Sequence, residues 1–101
     1  EYITYIVDEI PVNTPEDDYI YYVGDINSWY PGDRSLILND IGNGKYSIRF
    51  PRERQGRQFK FTRGDWSTVE VDHFGDDIDN RSSYFGEKDT IYLQIMNWKD
   101  L

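Results

Sequence analysis

Apolar and polar positions alternate along most of this chain, and the 3.6-residue period of an amphipathic helix is nearly absent. The clearest stretch is 45–50, where Tyr46, Ile48 and Phe50 share one face and Lys45, Ser47 and Arg49 the other. One dry side and one wet side mark a strand at the surface of a sheet. Residues 57–63 repeat the pattern, with Phe59 and Phe61 inward and Lys60 and Thr62 outward. Ile91, Leu93 and Ile95 stand in phase across 90–96. A first strand is expected over 2–10, closed by a turn at 11–15, and a second over 18–24, rich in Tyr and Ile and ending at Gly24. Shorter strands are expected at 35–38, 68–71 and 81–85. A turn over 39–44 carries the hairpin pair Asn43-Gly44, and an acidic turn covers 72–79. Short strands broken by turn signals predict an all-β fold, an antiparallel immunoglobulin-like β-sandwich of about seven strands. No repeat, linker or low-complexity tract divides the chain, so residues 1–101 are expected to form one domain.

Composition narrows what such a fold could do. A chain of 101 residues can bury a core without staples, and it has no cysteine to supply a disulfide or a thiolate metal site. Nineteen acidic against eleven basic residues give a net charge of -8. That field repels phosphate backbones and anionic lipid, so neither nucleic acid nor membrane is an expected partner. A neutral sugar is indifferent to it. Aromatic residues make up 17% of the chain, which argues against disorder and leaves a surplus for the core or for binding. No apolar run is long enough to span a bilayer. The chain opens at Glu1 with no leader pattern, and reads as a processed chain or a module of something larger. Asn80-Arg81-Ser82 is a glycosylation sequon, relevant under eukaryotic secretion.

Catalytic chemistry finds little support. His73 is the single histidine, so a multi-histidine zinc site is excluded, and no G-x-S-x-G elbow accompanies it. Paired carboxylates could hydrolyse a glycoside, yet a small sandwich rarely offers a cleft that raises one carboxyl's pKa and excludes water. No enzyme activity, cofactor or metal is expected. Asp72, Asp76, Asp77 and Asp79 could offer oxygens to calcium, but without EF-hand spacing they read as a solvated acidic loop.

The tryptophans are more informative. Trp29 lies among Gly, Asn, Ser, Pro and Asp in 24–33, and Trp66 follows a strand in Arg63-Gly64-Asp65-Trp66-Ser67. Neither sits in an alternating apolar run. Each could cap an end of the core. Each could equally stack its flat face on the apolar C–H face of a pyranose, with polar neighbours taking the hydroxyls. Trp98, after the last strand, reads as a packing or junction residue.

At these motifs the chain resembles two related families, the starch-binding domains of carbohydrate-binding module family 20 and the glycogen-binding modules of family 48. Val23-Gly24-Asp25-Ile26-Asn27-Ser28-Trp29 is similar to the V-x-G-x-F-N-x-W entry of the glycogen-binding type, with Ile26 in the Phe place. Gln58-Phe59-Lys60-Phe61-Thr62-Arg63 resembles the E-Y-K-F-x-R strand of starch-binding domains. Gly64-Asp65-Trp66 resembles the D-G-x-W that follows that strand in the glycogen-binding type. Asp79-Asn80-Arg81 resembles D-P-N-R, with Asp79 in the Pro place, and 42–50 fits the G-x-Y strand before the K-F strand. The order covers about residues 19–93.

The resemblance implies a carbohydrate-binding site for α-glucan (starch, glycogen or maltooligosaccharide) with Trp29 and Trp66 as stacking rings. It also implies Lys60 and Asn80 as hydroxyl partners. The starch-binding type places its second Trp in V-E-W, where this chain has Val69-Glu70-Val71, so Trp66 would serve instead. Tyrosines of that family's second site find no match in 11–17 or 39–44, so one site is expected. The implied role is to hold an attached catalytic domain near polysaccharide; a monomeric module is expected, in a secreted, cell-surface or periplasmic bacterial protein, with the cytoplasm as the alternative. The competing expectation is a structural sandwich packed on a neighbouring hydrolase or esterase domain, with the tryptophans at that interface.

Overall fold

A computed structural model describes residues 2–52, 56–83 and 88–101. Among these the protein is all-β, with no α-helix and three single-turn 3-10 segments. The strands are β1 (Tyr2–Glu9), β2 (Tyr21–Gly24), β3 (Asn39–Gly42), β4 (Lys45–Pro51), β5 (Arg57–Thr62), β6 (Glu70–Val71), β7 (Arg81–Ser83), β8 (Thr90–Gln94) and β9 (Asn97–Trp98). They form one sheet in the order β3-β4-β1-β8, a second in the order β2-β5-β7, and the short pair β6-β9.

The alternation of the sequence is the packing of the sandwich. Inward residues from the two larger sheets, Ile3, Tyr5, Val7 and Ile48 on one and Tyr22, Phe59 and Phe61 on the other, meet in one cluster with Ile20, Leu38, Ile95 and Trp98. Aromatic rings fill its centre: Tyr22 stacks on Phe59 at 4.9 Å and 14°, and Tyr5 leans on Phe59 at 4.9 Å. Trp98 is fully buried, and its indole N–H donates to Thr14 Oγ1 at 2.8 Å. The polar tip of a buried indole is thereby satisfied, and Trp98 is a packing residue.

The structure departs from the sequence reading in identifiable places. Among the described residues pairing is antiparallel except between β1 and β8, which run parallel with Ile6 opposite Tyr92. Alternation fixes a strand's faces but not its direction, so the pattern held no signal for this. Residues 39–42 form strand β3, with a two-residue turn at Asn43 (φ 57) and Gly44 (φ 72) leading into β4. The Asn-Gly signal placed that turn, while Asn and Asp, poor strand formers, masked the strand before it. Arg34–Leu36 is a 3-10 turn rather than a strand, and only Ile37 bridges to Tyr21. The expected strand 81–85 is present as β7 to Ser83, and its Tyr84–Phe85 end lies outside the described residues.

Two ionic clusters tie the layers together. The Glu70 carboxylate, 1% exposed, accepts the Phe61 N–H at 2.9 Å and a bidentate pair from Arg81 at 2.9 and 2.7 Å. Arg81 also donates to the Gln94 carbonyl at 2.6 Å, so one guanidinium spans β6, β7 and β8. Arg63 bridges Asp18 and Asp100 while lying over the Trp98 ring at 5.2 Å. It joins the loop before β2 to the segment after β9.

Candidate functional site

In the β2–β5 pair, Tyr22 and Gly24 face inward with Phe61 and Phe59, while Tyr21 and Val23 face outward beside Thr62 and Lys60. Because the pair is antiparallel, the loop after β2 leaves at the Phe59 end and the loop after β5 leaves at the Tyr21 end. Those ends are about 10 Å apart by strand rise. Trp29 and Trp66 meet only because residues 25–32 fold back over the outer face of β2. Val23 on that face is 0% exposed, which marks the covered ground.

Local chemistry holds the fold-back. The Asn27 carboxamide accepts the Gly24 N–H at 3.2 Å and donates to the Tyr30 carbonyl at 2.9 Å and to Asp33 at 3.3 Å. Ser28 (φ 58) and Trp29 (φ 62) are both left-handed, a conformation that costs an ordinary residue about 1–2 kcal/mol. The Trp29 N–H donates to the Gly24 carbonyl at 2.8 Å, which closes the loop against that strain. At the far end the Thr62 hydroxyl donates to the Pro31 carbonyl at 2.8 Å. Gly32 then lies so close to the next loop that a Cβ there would stand 2.6 Å from the Gly64 carbonyl oxygen. Gly32→Ala is therefore expected to cost about 1–3 kcal/mol and to alter the circular dichroism of the paired indoles. Unchanged spectra and stability would mean that the loops can part freely.

Each tryptophan loop is also pinned by an Asp-x-Ser turn. Asp33 accepts from the Ser35 hydroxyl at 2.7 Å and the Ser35 N–H at 3.0 Å. Asp65 accepts from the Ser67 hydroxyl and, at 2.9 Å, the Ser67 N–H. The serine hydroxyl is the main cause that holds each carboxyl below its ordinary value. A carboxylate lowered on folding contributes stability that is present above the ordinary carboxylate range and lost as pH falls through the lowered value. The loop geometry, read by tryptophan emission, is expected to stay constant from about pH 8 to 5 and to change only below about pH 4. A transition near neutrality would assign control of the loops to some other group.

The resulting surface brings two indoles together. Trp29 and Trp66 have ring centroids 6.4 Å apart with planes tilted by 33°. Trp66 is 42% exposed and Trp29 half-buried. A search of curated proteins finds a relative at this point. The chain is similar to an α-amylase from Niallia circulans, 36% identical over 93 residues that make up 90% of this chain and 7% of that enzyme. The chain thus corresponds to a small part of its relative's length. No protein-family model matches the chain.

The other two expected residues lie on the outer side of the β2-β5-β7 sheet. Lys60 is half-buried beside Val23. Asn80 is exposed, and its amide donates to Gln58 Oε1 at 3.2 Å. The β5–β7 register pairs Gln58 with Ser82 and ends at Phe59 with Arg81, and Asn80 immediately precedes that last pair. Trp29 and Trp66 thus meet through the loops after β2 and β5, and Asn80 meets Gln58 at the β5–β7 edge. Sequence reasoning did not find Gln58, whose outward position in phase with Lys60 was nevertheless readable.

The acidic stretch after β6 is organised by its own backbone. The Asp72 carboxylate accepts the N–H groups of Phe74 and Asp76, each at 2.9 Å. Among the described residues no group of three or more His, Cys, Asp or Glu side chains is placed to hold a metal ion. A cavity of about 290 Å³ lies elsewhere, lined among others by Glu16, Asp17, Tyr19, Leu38, Asp40 and Tyr46, and none of the four expected site residues lines it. No helix among the described residues is long and apolar enough to cross a membrane.

Proposed function

We propose that the protein is a non-catalytic carbohydrate-binding module that recognises α-glucan through Trp29 and Trp66. Lys60 and Asn80 take sugar hydroxyls on the adjoining sheet face. The observation that carries this reading is the pairing of the two indoles. Two strained or tightly tethered loops converge to hold an exposed and a half-buried indole with ring centroids 6.4 Å apart, at a tilt that can follow a curved sugar chain. Strain of this kind persists where the surrounding structure enforces it, and it collects at binding sites. The similarity to a small part of an α-amylase supports the reading, because an accessory module on such an enzyme would hold it close to its polysaccharide. Secretion and an attached catalytic domain belong to the same proposal.

A shallow stacking site buries little area and must strip water from hydroxyls, so affinity should be roughly micromolar to millimolar. Titration with maltoheptaose or β-cyclodextrin is expected to shift or quench tryptophan fluorescence, and the protein should be retarded on amylose resin. If neither occurs, the rings serve packing against a neighbouring domain instead.

A further inference from the structure

We infer that the binding surface continues from the tryptophan pair along the outer face of β5 and β7, and that Gln58 with Asn80 forms a hydroxyl-reading subsite at its far end. The ligand is then a run of several linked neutral hexopyranoses laid along the strands. This rests on the sugar-binding reading above and adds the extent of the site and the residue that measures it.

The strip is defined by register and burial. Thr62, Lys60 and Gln58 point outward in succession, and their exposure rises from buried through half-buried to exposed. Thr62 is roofed by Pro31, so the strip opens away from that contact and toward Gln58. On one side the folded-back loop stands over Val23 and forms a wall. On the other side β7 brings Ser82 opposite Gln58, and Asn80, just before β7, reaches the Gln58 side chain; Ser82 and Asn80 are both exposed. From Thr62 to Gln58 the strip runs about 13 Å by strand rise, and Trp66 lies beyond its Thr62 end.

The chemistry at the far end fits a sugar edge. The Asn80 amide donates to Gln58 Oε1, which orients both carboxamides. Among the described residues this leaves the Gln58 NH₂ and the Asn80 carbonyl oxygen without a protein partner. A hydroxyl both donates and accepts, so two neighbouring hydroxyls can take the Gln58 donor and the Asn80 acceptor together. The amides are neutral, so no charge has to be stripped of water.

The test is a chain-length series. Wild type, Gln58→Ala and Gln58→Glu are titrated with maltose, maltotetraose and maltoheptaose, with thermal unfolding as the check on folding. Gln58→Glu keeps an acceptor for Asn80 and replaces the donor by a charged acceptor oxygen that must be stripped of water, so it separates sugar contact from loop structure. Wild-type affinity is expected to rise about tenfold or more from maltose to maltoheptaose. Both variants should lose about fivefold for maltoheptaose and little for maltose, the change expected for one neutral hydrogen bond. Binding that is flat with length, or variants that weaken every ligand equally or none, would overturn the strip and leave the tryptophan site standing. Absence of binding to all three sugars by wild type would remove both.

Discussion

Glu70→Ala is expected to remove about 3–5 kcal/mol of stability, the usual cost of breaking a buried ion pair from one side. The carboxylate is 1% exposed, and it satisfies at once the Phe61 N–H and two guanidinium donors of Arg81. Its loss strands these donors in the space between β5, β6 and β7. In a protein of this size such a loss corresponds to a fall in Tm of more than about 10 °C. Urea unfolding followed by circular dichroism gives the figure. Glu70→Gln should cost less, because one acceptor remains for the strand N–H. A loss below about 1 kcal/mol for the alanine variant would mean that water reaches the Arg81 head and replaces the carboxylate.

Trp66→Ala is expected to weaken maltoheptaose binding about 30-fold or more, as truncation of a central aromatic anchor does. The same change should leave stability within about 0.5 kcal/mol, because the ring is 42% exposed and its loop is held by Asp65, Ser67 and Thr68 rather than by the indole. The split between binding and stability is the informative part. Trp98→Ala should behave in the opposite way, with folding impaired, since that ring is wholly enclosed. Equal binding by wild type and Trp66→Ala, measured by calorimetry, would remove the stacking role from this indole.

The sequence made the faces of β4, β5 and β8 legible, because a strand with one buried side must alternate. It made the turn at Asn43-Gly44 legible for the same local reason. The meeting of Trp29 and Trp66 could not be read in this way. It depends on which strand β2 pairs with, and on a loop that doubles back over that pair to reach Gly64. Resemblance to known modules supplied the idea of a shared site, and the fold-back supplies its physical basis. Glu70 was passed over because it lies between Val69 and Val71, where strand alternation alone would turn its side chain to solvent. The two-residue strand β6 and the Val69 before it are covered on both faces, so all three side chains are enclosed. The Arg81 partner lies 11 residues further on, and nothing local signals it.

The parallel β1–β8 pair has a consequence for how the chain acquires its shape during synthesis. Gln94 donates to Asp8 at a sequence separation of 86, and β1 cannot complete its second edge until β8 has been made. A ribosome releases the amino end first, so β1 can pair with β4 long before its other neighbour exists. Final closure of this sheet awaits β8, and the long loop that must then close makes slow, late-locking folding the natural outcome for this topology.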